Sequence, residues 1–191
     1  MEIKELEEIV YKYYPKKIDA YNQELYKETS EFKLLKETID EKLTSELETH
    51  RIHKDLVSRI SEKEKMRFID MTYYTSLDRS HNLQLSKKFE DKYYQINLYT
   101  SVLIPCYLLI VRESEISQLE VNPFSSLKKT TNLDIDFLNE TLQKIHETVE
   151  KNSFILLKDE LHNHLIKDVS FEDVVFGKFT LFNAFFFNQY F

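Results

Sequence analysis

The order of periodicities in this chain predicts an α+β domain, with a mainly antiparallel sheet of about four to five strands packed against N-terminal and C-terminal helices. The strands come from roughly residues 66–112 plus a C-terminal strand. Three observations carry that prediction. Apolar residues recur at helical spacing up to residue 64 and again from 134 to 166, but alternate between 66 and 112. Glycine is confined to Gly177 and proline to Pro15, Pro105 and Pro123, which argues against a turn-rich all-β fold and against glycine-rich phosphate loops. The run Tyr93–Arg112, YYQINLYTSVLIPCYLLIVR, is the most apolar and β-branched stretch of an otherwise charged protein and is the expected centre of the sheet.

The 191 residues suit one domain, 1–191, long enough to bury its own core. Residues 2–13 form an amphipathic helix with Ile3, Leu6, Ile9, Val10 and Tyr13 on one side, and Pro15 ends it because the residue before a proline avoids helical angles. The next helical region, 16–64, repeats Ile18, Leu25, Phe32 and Ile39 every seven residues. Thr29 or Ser30 caps a fresh start, leaving 16–28 looser and a helix from about 29 to 64. Ser45 and Glu48 have capping-box spacing and mark a second kink. Residues 66–74 alternate as a strand, Ser76–Asn82 reads as a loop, and LQLSKKF is a short strand. Tyr94, Ile96 and Leu98 then place a strand at 93–100, and Cys106, Leu108 and Ile110 a second at 106–112, with Pro105 at the bend.

Residues 113–133 read as connection. Asp134 or Asp136 caps a helix at 134–150 whose inner side is Phe137, Leu138, Leu142, Ile145 and Val149. Phe154, Leu157, Leu161 and Leu165 continue it as a helix at 153–166. Gly177 turns the chain into a last strand at 178–183.

No catalytic, cofactor-binding or metal-binding constellation emerges. His50 and His53 sit three apart near Glu46 and Glu48, but without the paired Glu-x-x-His elements of a two-metal bundle they read as a solvated polar face. His162, Asn163 and His164 are adjacent letters that point in different directions on a helix. Cys106 lies in an apolar run and behaves as a small buried hydrophobe. Asp70, Asp78 and Glu90 flank turns and strand ends. With one cysteine, no signal sequence and no long apolar run, the chain reads as cytoplasmic, without a membrane partner. The net charge of −7 is uneven, since residues 113–176 hold 13 acids against 6 bases. That balance disfavours nucleic acid and suits a basic protein partner. Twelve tyrosines offer rigid interface anchors.

Several pieces together resemble the immunity proteins of bacterial polymorphic toxin systems. They are Tyr13-Tyr14-Pro15 after a short helix, Thr29-Ser30-Glu31-Phe32 with Leu35 opening the next one, and Tyr99–Leu103 followed by Tyr107. The ending, Asp168-Val169 and then Gly177–Phe186, completes the pattern. The chain departs from it at Ile104-Pro105, where the central hairpin lacks a glycine, and in its triple phenylalanine. The resemblance implies a non-catalytic protein, without a cofactor, that binds and blocks a cognate toxin. Charge placement suggests Glu113, Glu115, Glu120, Asp168, Glu172 and Asp173 as the acids facing that partner. Two other readings stay open: a homodimeric interaction module built on the long helix, and a metal-dependent hydrolase using histidines and acids.

Overall fold

The computed structural model describes residues 1–43, 48–72, 77–121, 127–130 and 135–187, apart from the side chains of Glu120, Val121 and Asp159. It is an α+β fold. Four helices, α1 (Ile3–Tyr13), α2 (Gln23–Glu28), α3 (Ser30–Lys42) and α4 (Glu48–Glu64), precede β1 (Arg67–Asp70), β2 (Ser80–Phe89), β3 (Lys92–Ser101) and β4 (Cys106–Glu115). Then come α5 (Ile116–Val121), β5 (Lys128–Lys129), α6 (Asp136–Lys151), β6 (Ile155–Leu156), α7 (Asp159–His162) and α8 (Leu181–Phe185). The strands lie in the order β1-β2-β3-β4-β5, all antiparallel, and β6 pairs in parallel with the start of β4.

Two-residue alternation gives this sheet two faces. Leu83, Leu85, Ile96, Leu98, Tyr107 and Val111 point to one, where Val57 and Ile60 of α4 and Leu138, Leu142, Ile145 and Val149 of α6 cover them. Tyr99, Leu108 and Ile110 point to the other and join a second core. That core gathers Leu6 and Val10 from α1, Tyr14 just after it, Leu35 and Ile39 from α3, and Phe179, Leu181, Phe182, Phe185 and Phe186 from in and around α8. The run Tyr93–Arg112 is therefore central, as its composition predicts, and contributes to both cores.

Other expectations need correction. The region 29–64 is not one helix, since α3 ends at Lys42 and α4 begins at Glu48. The Ser45 end of the predicted kink lies outside the described residues. Thr29 does cap α3, its Oγ1 accepting from Phe32 N–H at 3.3 Å. One residue earlier α2 ends, so the seven-residue repeat crosses a break. Leu25 is then 52% exposed while Phe32 packs inward, and the long helix needed for a coiled-coil dimer is not formed. Strand 66–74 shortens to β1, with 73 and 74 outside the described residues. Ser80–Asn82, expected in a loop, opens β2, because their pairing with Tyr99–Ser101 satisfies backbone groups that turn-forming side chains would otherwise serve.

Residues 113–133 carry the end of β4, α5 and β5 rather than connection alone. For the predicted helix at 134–150, Asp134 lies outside the described residues and Asp136 is the first helical residue, after Ile135. Helix 153–166 is not formed. Ser153 turns the chain at φ 66°, and Ile155 and Leu156 join the edge of β4, leaving only α7 helical. The final strand 178–183 is also not formed. Thr180 Oγ1 accepts from Asn183 N–H and Asn183 Oδ1 accepts from Thr180 N–H, a reciprocal cap that starts α8. Only Thr180 keeps a bridge, to Leu165. No helix among the described residues is long and apolar enough to cross a membrane.

Candidate functional site

The six acids suggested by charge placement fall into separate places. Glu113 and Glu115 lie at the end of β4, where Glu113 holds Lys92 at 3.3 Å and Glu115 stands opposite Lys92 in the ladder. Glu120 is on α5, and its side chain is outside the described set. Asp168, Glu172 and Asp173 belong to a different surface, built against the segment that runs into α2.

Four hydrogen bonds stitch that surface together. Lys17 N–H donates to the Asp168 carbonyl at 2.8 Å, and Ala20 N–H donates to Ser170 Oγ at 2.9 Å. Ser170 Oγ donates to the Ile18 carbonyl at 3.2 Å, and the Tyr26 hydroxyl to the Ser170 carbonyl at 2.9 Å. Beneath lie aromatic contacts: Tyr14 meets Phe171 edge-on with centroids 5.2 Å apart, and Phe179 at 5.1 Å. Fully buried Arg79 stacks on Phe171 at 5.0 Å and donates to the carbonyls of Leu77 and Asn183, both at 2.7 Å. The segments are thus held by a rigid floor. Asp168 is partly committed, because its carboxylate accepts the Tyr11 hydroxyl at 2.9 Å. Burial and this carboxylate push the Tyr11 hydroxyl up to about 12. Glu172 and Asp173 are exposed at the tip of a turn closed by Phe171 and Val174. Glu172 stands there in the left-handed region, φ 51°, which a residue with a Cβ enters at a cost.

Exposed apolar groups concentrate on the same two segments. Tyr21 is 69% exposed and Leu25 52%, and Val175 and Phe176 follow the Glu172 turn, also exposed. Across 17–28 and 168–176 stand six carboxylates and two lysines. Charge counting points to half of these acids. The exposed Tyr21 and Leu25 escape it, because a helical repeat assigns Leu25 to a buried stripe. Asn22, whose side chain accepts from Leu25 N–H and starts α2, is the local signal that the repeat is interrupted there.

The histidines correct another expectation. His50 and His53 are not solvated; both are 1% exposed. They extend the inner stripe of α4, since His50, His53, Val57 and Ile60 recur at helical spacing, a pattern visible in the residues themselves. His50 stacks on His81 with centroids 3.9 Å apart and planes 20° apart, and its Nε2 lies 3.5 Å from Asp70 Oδ2. Lys54 Nζ reaches the same carboxylate oxygen at 2.9 Å. Burial opposes ionisation of Asp70, but hydrogen bonds from His50, Lys54 and Thr72 prevail and hold its carboxyl far below the usual range. Burial keeps His53 and His81 neutral, lowering their pKa values to about 4 and about 3, with His50 adding to both effects and Asp70 opposing the shift at His81. Glu90 lies at the far end of β2 in a turn, so it does not join Asp70. No group of three or more histidines, cysteines or acids among the described residues is placed to hold a metal.

The remaining candidates are structural. Cys106 is fully buried, and burial raises its thiol pKa far above the ordinary value. His162 is buried with its ring 6.2 Å from Phe182, whereas His164 Nε2 meets Glu7 Oε1 at 2.8 Å, so the two face different surroundings. His146 lies with Nδ1 2.6 Å from the Tyr107 hydroxyl, which also donates to Glu150 Oε1 at 3.0 Å. One hydroxyl has one proton, so with that proton on Glu150, Nδ1–H of His146 is the donor to Tyr107. This fastens α6 to β4. Compared with known protein families, curated proteins and solved structures, the chain matches none.

Proposed function

We propose that this chain is a non-catalytic cytoplasmic protein that binds and neutralises a cognate toxin domain, and that it docks through the surface of residues 17–28 and 168–176. The carrying observation is the coincidence, on one hydrogen-bonded platform, of exposed Tyr21, Leu25, Val175 and Phe176 with six carboxylates. A few anchors, tyrosine prominent among them, supply most of the energy of a protein interface, neighbouring apolar groups exclude water from them, and surrounding charge selects the partner and speeds encounter. The occupant this composition fits is a basic protein surface, such as the substrate-binding face of a nuclease-like toxin. Nucleic acid and anionic membrane are disfavoured by the same charge. Glu113 and Glu115, at the end of β4, form no part of this contact.

The test is co-expression of the chain with the toxin-like product of an adjacent gene, scored as rescue of growth and as affinity. Tyr21→Ala and the pair Glu172→Lys, Asp173→Lys should each weaken binding by at least about tenfold, or ~1.4 kcal/mol. The charge reversals should act mainly on the association rate and fade at high salt. Rescue and affinity that persist in folded variants carrying all three substitutions would remove this surface from the interaction. Failure of every neighbouring toxin to be neutralised would remove the function itself.

A further inference from the structure

We propose that the cleft at the rim of β4, between β5 and β6, binds a small aliphatic 2-hydroxy carboxylate, its hydroxyl donating to His146 Nε2 and its carboxylate meeting Lys129 and Lys158. β5 pairs with Arg112 and Glu113 and β6 with Cys106 and Tyr107, and the cleft opens between them, against α6. It shares no residue with the proposed docking surface and is independent of it. Its volume is about 240 Å³, just below the usual range for ligand sites of roughly 300–1,000 Å³, so the occupant is smaller than a drug-sized molecule.

The recognition group follows from a proton count. The Tyr107 hydroxyl donates its one proton to Glu150 Oε1 at 3.0 Å, and its oxygen lies 2.6 Å from His146 Nδ1, so Nδ1 carries a proton and donates. Above the ordinary imidazole pKa of about 6.5 the ring is neutral, and a neutral ring protonated at Nδ1 keeps a lone pair on Nε2. Nδ1 is turned inward to Tyr107, which is fully buried, whereas His146 itself is half-buried and lines the cleft. The outward edge of the ring therefore presents Nε2 as an acceptor and selects an O–H or N–H donor. Two exposed lysines, Lys129 and Lys158, line the same cleft, and no acid does among the described residues, so the mouth favours an anion. Leu109, Leu142 and Leu156 supply an apolar wall that suits a short branched aliphatic chain. A donor, an anion and a short apolar chain in so small a space describe a hydroxy acid. An ammonium in place of the hydroxyl is disfavoured by the two lysines.

The probe is 2-hydroxy-3-methylbutanoate, titrated into the whole chain at about pH 8, with the ring of His146 followed by nitrogen–proton NMR. Before any addition, the spectrum should show His146 protonated at Nδ1 and bare at Nε2. The probe should bind with a Kd on the order of 1 mM, as expected for so few atoms, and should move the Nε2 resonance. 3-Methylbutanoate, which lacks the hydroxyl, and 2-hydroxy-3-methylbutanamide, which lacks the charge, should each bind at least about tenfold more weakly. The pair Lys129→Gln, Lys158→Gln changes only exposed positions and should weaken the acid by a similar factor while leaving the amide little affected. A proton on Nε2 in the free protein, an Nε2 resonance unmoved by ~10 mM probe, equal binding of the acid without the hydroxyl, or undiminished binding to the folded lysine variant would each overturn the proposal. If that variant does not fold, the resonances and the three compounds compared on the unaltered chain decide.

Discussion

Acidification from pH 7 to pH 5 should cost this protein about 4 kcal/mol, chiefly through His53 and His81. Both rings are buried neutral, with native pKa values of about 4 and about 3 against 6.5 for the free side chain. The folded state therefore binds fewer protons than the unfolded state whenever the pH lies between those limits. Stability is complete above about 6.5 and falls as the pH drops, until His53 protonates near 4 and His81 near 3. One pKa unit is worth about 1.4 kcal/mol, so each ring contributes ~2 kcal/mol of loss by pH 5, and the pair ~4 kcal/mol. For a domain with a typical 5–15 kcal/mol of stability, roughly, that is a large fraction. The Asp70 ion pair acts elsewhere on the scale: its carboxyl is held low, so its contribution is present above about pH 4 and lost only in stronger acid. His146, also depressed by burial, adds to the slope in every variant that retains it. The assay is urea unfolding followed by circular dichroism at pH 7, 6 and 5. His53→Leu and His81→Phe should each remove about half of the ~4 kcal/mol. A wild-type midpoint that does not move between pH 7 and 5, or a double variant as pH-sensitive as the wild type, would refute the reasoning.

Three further outcomes follow from the packing. Arg79→Met should destabilise by about 3 kcal/mol, because it leaves the buried Asn183 carbonyl and the half-buried Leu77 carbonyl without their guanidinium donor; Arg79→Lys should recover only part, a single ammonium being unable to span both. Thermal and urea unfolding of the two variants measure this. Native Cys106 should resist alkylation at pH 8 and react at full stoichiometry once unfolded, as mass spectrometry will report, since the thiol is fully buried and its pKa raised. Leu108→Asp should abolish cooperative unfolding, because it places an unpaired carboxylate in the core where Leu108 is 1% exposed.

Much of this architecture was legible where one periodicity dominates and one neighbour layer decides burial. The stripe of α1, the Thr29 cap, the alternation of β3 and β4 and the inner face of α6 are all local signals. What escaped depends on distant partners. Phe154, Leu157, Leu161 and Leu165 fit a helical repeat, but the edge of β4 claims Ile155 and Leu156, between the first two, as β6. The phenylalanines of Phe179–Phe186 suit a strand by propensity, whereas the Thr180–Asn183 cap and the second core make a helix of Leu181–Phe185. Asn82 and Gln84 disguise β2, since its polar residues face away from the α4–α6 layer. Of the proposed docking surface, charge placement located Asp168, Glu172 and Asp173, but the exposure of Tyr21 and Leu25 follows from bonds to Ser170 about 150 residues away, as the 150-residue separation of Ala20 and Ser170 shows.

The rims of the sheet carry a consequence for how the molecule behaves in a crowded cell. A long free strand is a template for pairing with another copy and for runaway aggregation. Here one rim is the four-residue β1, ending at Asp70 with Lys54 upon it, and the other, along β4, is occupied at its two ends by the two-residue strands β5 and β6. These fragments add little to either core, and their lysines and short lengths make poor templates. They act as guards on the sheet: among the described residues, the largely apolar hairpin of β3 and β4 is left no long open edge through which copies of the chain could pair.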